Sequence, residues 1–313
     1  MIISASYKTD IPAFYGRWFM NRLKAGYCQT VNPYNRKSRR VDLTPEAVDG
    51  IVFWTKNIAP FLDHLPAVAV LGIPFVVQYT INDYPRALEH SVVDSRRSVG
   101  HMKRLADTYG PSAAVWRYDP IIFSSVTPYE AHLRNFAALA EALCGTTDEV
   151  VISFAQLYKK TLRNMDAAAR ADGFSWEDPE ADVKKELARL LAEIASAYGM
   201  RLTVCSQRQF TSPTVGEAQC VSSARLTDVG GRPVQARVKG NRDECLCSES
   251  VDIGEYDTCP HGCVYCYAVR SQRLTQERFS RHDPDGEFLF APEPSALNSH
   301  QPHGGAATQL KML

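Results

Sequence analysis

Short apolar runs separated by amphipathic stretches of helix length dominate the first two hundred residues. The runs at 2–6, 51–54, 74–80, 113–118, 149–154 and 201–205 are rich in Val, Ile, Phe, Tyr and Trp, as strands buried on both faces are. Between them, apolar residues recur at helical spacing. One stripe carries Ile11, Phe14, Tyr15, Trp18, Phe19 and Leu23, with Asp10 placed as N-cap and Pro12 in the first turn. Others carry Tyr129, Leu133, Phe136, Ala140 and Leu143, and Val183, Leu187, Leu190, Leu191, Ile194 and Tyr198. The alternation predicts an α/β fold: about six parallel strands in a partial or complete (β/α) barrel over residues 1–205. No Gly-x-Gly-x-x-Gly and no P-loop follows any strand, which removes the usual signatures of open nucleotide-binding sheets.

In parallel α/β barrels the strand C-termini share one face, and that face holds the active site. Polar residues follow every predicted strand here. Lys8 and Asp10 follow the first, Lys56 and Asn57 the second, Arg117 and Asp119 the fourth, and Gln156 the fifth. Lys8, Asp10, Lys56, Arg117, Asp119 and Gln156 are therefore the candidate catalytic residues. The competing reading makes the same side chains helix caps and structural ion pairs.

Later residues change character. The stretch 206–250 has little helical period and reads as a long loop, and 206–275 forms a cysteine-rich segment. From 276 to 313 the chain is polar and rich in Pro, His and Gly, which predicts a disordered tail. Lys plus Arg equals Asp plus Glu at 35 each, so a generally basic nucleic-acid binder is disfavoured. The basic runs Arg36–Arg40 and Arg232–Arg242 are either phosphate contacts or solvated loop charge. Apolar runs stay well short of the roughly 20 residues that span a bilayer, and the first residues lack the features of a signal peptide, so a cytoplasmic protein with no membrane partner is expected.

Nine cysteines are the unusual feature, and an odd number in such a chain points to metal or redox chemistry rather than a disulfide framework. Seven of them fall between 205 and 266. Cys259, Cys263 and Cys266 form a Cys-x3-Cys-x2-Cys triplet with Tyr265 just before the third cysteine, and Gly262 allows a sharp turn within it. Three thiolates on a tight loop can hold a [4Fe–4S] cluster and leave one iron without a protein ligand. A zinc site that borrows Cys245 and Cys247 is the alternative. Cys205, Cys220, Cys245 and Cys247 make a complete ligand set for a second iron–sulfur cluster or a zinc, or else are buried free thiols.

The triplet with its aromatic resembles the signature of radical S-adenosylmethionine (SAM) enzymes. The string His-Gly-Cys-Val-Tyr-Cys-Tyr-Ala at 261–268 is similar to the version in spore photoproduct lyase. That resemblance implies a partial (β/α)6 barrel, SAM on the open iron, and its reductive cleavage to a 5′-deoxyadenosyl radical. It also implies an electron donor such as flavodoxin or ferredoxin. Asn57, Tyr265 and Tyr267 are the expected cofactor contacts. The triplet departs from the superfamily in following nearly the whole barrel; Ser250–Tyr256 is the candidate strand feeding it, in a circularly permuted order or as a lid. No Gly-Gly-Glu-type element is recognisable. A longer resemblance, over roughly 2–270, is to the bacterial domain-of-unknown-function family 1848. It rests on Ser-Ala-Ser-x-x-Thr-Asp-Ile-Pro-Ala-Phe at 4–14, Val-Phe-Trp-Thr-Lys-Asn at 52–57, Trp-Arg-Tyr-Asp-Pro at 116–120 and the terminal cysteines. Tyr7 and Lys8 stand where that family usually has Arg. Three function classes follow: a radical SAM enzyme on a small-molecule or nucleic-acid substrate, an iron–sulfur or zinc protein that binds or repairs nucleic acid, and an electron carrier.

Overall fold

The computed structural model describes residues 1–33 and 35–292. In chain order its strands are β1 (Ile2–Ala5), β2 (Tyr27–Val31), β3 (Ser38–Asp42), β4 (Gly50–Thr55), β5 (Phe75–Thr80), β6 (Ala114–Ile121), β7 (Phe123–Ser124), β8 (Glu149–Phe154), β9 (Trp176–Glu177), β10 (Arg201–Val204), β11 (Val215–Glu217) and β12 (Ser250–Asp252). The α-helices are α1 (Ile11–Phe14), α2 (Gly16–Ala25), α3 (Leu65–Val70), α4 (Ser95–Tyr109), α5 (Tyr129–Ala142), α6 (Lys159–Asp172), α7 (Ala181–Ala197), α8 (Ser223–Gly230) and α9 (Gln272–Ser280).

All six predicted strands are present, and they lie side by side in one sheet of order β11-β10-β8-β6-β5-β4-β1-β12. Every neighbouring pair in it is parallel. The sheet has eight strands rather than about six. Moreover, the last strand in the chain sits beside the first, with Ile2 opposite Ser250 and Ser4 opposite Asp252. In space the strands therefore count upward around the sheet if β12 is taken as the start.

The two faces of the sheet are covered differently. Ile3, Ile51, Phe53, Val77, Trp116, Val150 and Ile152 join Trp18, Phe19, Phe136, Leu187 and Leu191 from the helices in one core. The alternate residues Ile2, Val52, Val76, Val115 and Val151 pack on Val221, Leu226, Val234 and Cys247. The described residues do not form a complete barrel. Among the described residues β11 and β12 end the strand order unpaired with one another, and the face that would be a barrel interior is filled by the 218–247 segment instead. Burying those apolar side chains, about 1.5–3 kcal/mol for each large one, is what draws that segment in.

That segment is also less of a loop than its composition predicts. It contains α8, capped by Ser222, whose hydroxyl accepts from Arg225 N–H at 3.2 Å, and ended by Gly231 in the left-handed region. The expected tail is corrected as well. α9 runs through the boundary at 276. Beyond it, Trp18 donates to the Gly286 carbonyl at 3.0 Å, Gln29 N–H to the Glu287 carbonyl at 2.9 Å, and Leu289 is buried. Residues 293–313 of that tail lie outside the described residues. No described helix is long and apolar enough to cross a membrane.

Candidate functional site

Toward the C-terminal ends of the strands, the face that begins Ile2, Val52, Val76, Val115 and Val151 continues as Ser4, Trp54, Gln78, Arg117 and Ser153, with period 2. A polar surface is thus built at the end where the cysteine loop arrives. β12 ends at Asp252, and the next residues carry Cys259, Cys263 and Cys266 back over the ends of β1 and β4.

Backbone and charge fix that loop. Asp257 N–H donates to the Ala268 carbonyl at 3.0 Å, and the buried Asp257 carboxylate accepts from Arg270 N–H at 2.5 Å and Nε at 2.7 Å. Val264 N–H donates to the Leu88 carbonyl at 3.1 Å, and the His261 carbonyl accepts from Ser91 N–H at 2.9 Å. The expected sharp turn is real. Gly262 has φ +74°, and a Cβ there would lie 2.9 Å from His90 Cβ.

Asp10 ties the loop to two strands. Its Oδ1 caps α1 by accepting from Ala13 N–H at 2.9 Å. Its Oδ2 accepts from Thr55 Oγ1 at 3.0 Å, from Lys56 N–H at 2.7 Å and from His261 Nε2 at 2.7 Å. His261 is buried, and its Nδ1 has no hydrogen-bond partner among the described residues. Each sulfur of the triplet has a polar or charged neighbour. Cys259 faces the backbone N–H groups of His261 and Asp10, Cys266 accepts from Ala268 N–H at 3.3 Å, and Cys263 lies near Lys56. Burial pushes the Cys259 thiol up to about 12 and raises Cys263 and Cys266 as well. Thiols of that kind are not poised nucleophiles, which need the opposite shift.

A second network stands beside Cys263. Lys56 Nζ bonds Glu89 Oε1 at 2.7 Å and lies 5.7 Å from the Tyr265 ring centre. Glu89, buried, also accepts from Asn82 Nδ2 at 3.2 Å and from the Tyr265 hydroxyl. Burial pulls the Lys56 pKa down, but Glu89 and Cys263 outweigh it and hold the ammonium above its ordinary value. Arg117, buried on β6, forms an ion pair with Asp119 and reaches Gln78 Oε1 at 3.2 Å and Cys220 Sγ at 3.0 Å. Asp119 also accepts from Ser153 Oγ. Burial raises the Asp119 pKa and Arg117 more than offsets it, so the carboxyl stays below its ordinary value.

The other candidates are placed as follows. Lys8 lies 3.4 Å from Asp252 Oδ1 and stacks near Tyr256, so it joins β1 to β12. Asn57 Oδ1 accepts from Ala59 N–H at 3.2 Å and so caps the next turn. Gln156 accepts from Tyr158 at 2.5 Å and Arg242 at 3.2 Å. The Tyr267 hydroxyl donates to the Tyr7 carbonyl. Cys205, Cys220, Cys245 and Cys247 meet one another on the same side of the sheet, although among the described residues no three His, Cys, Asp or Glu side chains stand ready to hold a single metal ion. The basic runs are engaged in part. Arg237 and Lys239 pair with Glu249 at 2.7 and 2.8 Å, and Arg40 lies 3.6 Å from the Tyr27 ring centre.

Sequence reasoning missed Glu89 and Asp252. Asp252 accepts from Ser4 Oγ and Ser6 Oγ at 2.8 Å and Tyr7 N–H at 3.0 Å, and Glu89 anchors Lys56. Neither belongs to a spaced pattern; only the position of Asp252 at the end of a β-prone run was available as a signal.

Fold and site together define an α/β protein with a cysteine loop closing over the C-terminal ends of a parallel sheet. Its sequence matches the family described as Domain of unknown function (DUF1848) over residues 2–268, and the chain belongs to that family. Searches of curated proteins and of solved structures found no match.

Proposed function

We propose that the protein is a radical SAM-like enzyme with a [4Fe–4S] cluster on Cys259, Cys263 and Cys266. The observation that carries the reading is the position of the triplet. It leaves β12, the strand beside β1, and lies over the polar ends of the parallel strands. In this circular order β12 stands where the first strand of a permuted partial barrel would. A cubane takes its three cysteines on three different irons, so its thiolates need not converge as they would on one ion.

Several features fit such a group. The loop turns at Gly262, backbone N–H groups face Cys259 and Cys266, and the buried His261 Nδ1 is left for an inorganic partner. When bound and reduced, a cluster with one open iron supplies reductive cleavage of SAM and so a radical that abstracts hydrogen from substrate. The chain's own residues do the rest. Asp10 holds His261 and the start of the Lys56 segment in place. Lys56, 14% exposed, presents an ammonium beside Cys263 that suits an amino-acid carboxylate, and Glu89 keeps it charged and oriented. Tyr265 is fixed by Glu89, and Tyr267, more exposed, is at the rim of the same loop as a cofactor contact. A polar small molecule is the substrate class we favour over nucleic acid, because the formal net charge is zero and part of the basic runs is engaged within the chain. The electron donor is a flavodoxin- or ferredoxin-type protein.

The test is anaerobic reconstitution with iron and sulfide, followed by dithionite and SAM. The expected result is about four irons at the triplet and formation of 5′-deoxyadenosine. A fully loaded cluster that never cleaves SAM under strong reductant would move the assignment to an electron carrier, and zinc without sulfide would move it to a zinc protein.

A further inference from the structure

Four cysteines outside the triplet come from three separate parts of the chain and meet at one place. Cys205 directly follows β10, Cys220 follows β11, and Cys245 and Cys247 lie on the approach to β12. The sulfurs of Cys205 and Cys220 are 3.5 Å apart. Cys247 interacts electrostatically with both Cys220 and Cys245, and Cys245 with Cys205. The four cysteines thus gather in one place, with Cys205 and Cys220 in sulfur contact. Cys205, Cys220 and Cys247 are buried and Cys245 is half-buried.

Hydrophobic packing of neutral thiols does not explain their surroundings. Arg117 Nη1 donates to Cys220 Sγ at 3.0 Å, Arg242 Nη2 to Cys205 Sγ at 3.2 Å, and Val221 N–H to Cys247 Sγ at 3.3 Å. A guanidinium has donors and no acceptor, so two of them aimed at buried sulfur place positive charge and hydrogen bonds where metal-bound thiolates would need them. Four thiolates gathered in a buried site would need a cation among them. We propose that Cys205, Cys220, Cys245 and Cys247 hold one thiophilic divalent ion, zinc or ferrous iron, as a four-thiolate site distinct from the triplet. The 3.5 Å sulfur contact suits ligands of a single tetrahedral ion rather than of a cubane.

Charge supports the assignment. Four thiolates and one divalent ion carry a net charge of −2, and two arginines face it, Arg117 being shared with Asp119. Cys245 has to turn toward Cys205 to close the ring, giving up the backbone N–H contacts from Cys247 and Asn241 that its sulfur makes. Gly240 packs so tightly there that a Cβ would lie 2.2 Å from the Cys245 carbonyl oxygen. The approach of that backbone is therefore specified. Placed between β10, β11 and the approach to β12, the ion would staple the two open edges of the sheet. It would also tie them to Arg117 at the strand ends.

The experiment uses the full chain with Cys259, Cys263 and Cys266 changed to Ala, kept reduced, and titrated with Co2+ and then Zn2+. One equivalent of Co2+ should give the intense thiolate charge-transfer and tetrahedral ligand-field bands of a sulfur-rich site, removed by one equivalent of Zn2+. Cys245→Ser should shift those bands, and Arg242→Ala, which removes a donor to Cys205 Sγ and to Gln156, should weaken Zn2+ by about ten- to a hundredfold. Absence of the bands in a folded triple variant, bands indifferent to Cys245→Ser, or a Cys205–Cys220 disulfide in place of metal would each overturn the proposal. Should the triple variant not fold, zinc is counted in the wild-type chain after the triplet is loaded with iron and sulfide. One zinc per chain, or one iron beyond those of the cluster, that is lost in Cys245→Ser supports the site; the absence of both overturns it. Because the first readout is taken without the triplet, failure of the radical SAM reading leaves it unaffected.

Discussion

The two cysteine groups of this protein are built in opposite ways. Cys259, Cys263 and Cys266 come from a single eight-residue span, held by its own backbone, with N–H groups on two of the sulfurs and Lys56 near the third. Cys205, Cys220, Cys245 and Cys247 are gathered by the tertiary fold and faced by two guanidiniums. A local loop can leave part of a cofactor open to a small molecule, whereas a set collected from three elements encloses what it binds. The comparison assigns reactivity to the first group and structure to the second.

The largest effect expected is on the first group. Changing all three of its cysteines to Ala should remove the cluster absorbance and acid-labile sulfide entirely while leaving one bound zinc, read by metal analysis of the same sample. Next in size is Lys56→Met, which leaves Glu89 buried without its cation and should cost about 3–5 kcal/mol in urea unfolding. Adding Glu89→Gln should restore most of that stability without restoring SAM cleavage, which separates the structural from the functional role of the pair.

Two glycines sharpen the contrast with smaller changes. Gly262→Ala forces a left-handed backbone on a residue with a Cβ, at about 1–2 kcal/mol, and should lower iron content but not zinc. Gly240→Ala meets the Cys245 carbonyl and should do the reverse, again measured as the two metal contents side by side. The smallest effect is a pH dependence. Asp119 has its folded pKa held below the ordinary 3.8, so it contributes stability above that value that is lost as the pH falls through the folded one. Asp119→Asn should flatten the acid limb of a stability–pH curve below about 3.8 and leave the curve near neutrality parallel to wild type.

The parts of this architecture that were legible in the sequence are those written locally. Six strands could be read because Val, Ile, Phe and Trp run together where both sheet faces are buried, and Asp10 announced its cap by preceding an apolar stripe. The triplet could be read from its spacing. The second face of the sheet could not, because its cover comes from 218–247, where Val221, Leu226 and Val234 are too sparse to show a period. The open edge followed from the same cause, and so did the apparent loop that contains α8. Lys8 and Asn57 were placed at the correct end of the sheet, but their immediate partners, Asp252 and the Ala59 N–H, are known only from the three-dimensional arrangement. Glu89, which organises Lys56 and Tyr265, sits in an irregular stretch with no motif to mark it.

The central claim is a cluster with an open iron on the C-terminal triplet, and electron paramagnetic resonance of the anaerobically reconstituted, dithionite-reduced wild-type protein tests it most directly. The account predicts a [4Fe–4S]+ signal that changes on adding SAM and is absent from the Cys259/Cys263/Cys266→Ala variant. A signal indifferent to SAM, or no iron–sulfur signal in a folded, reconstituted chain, would contradict it.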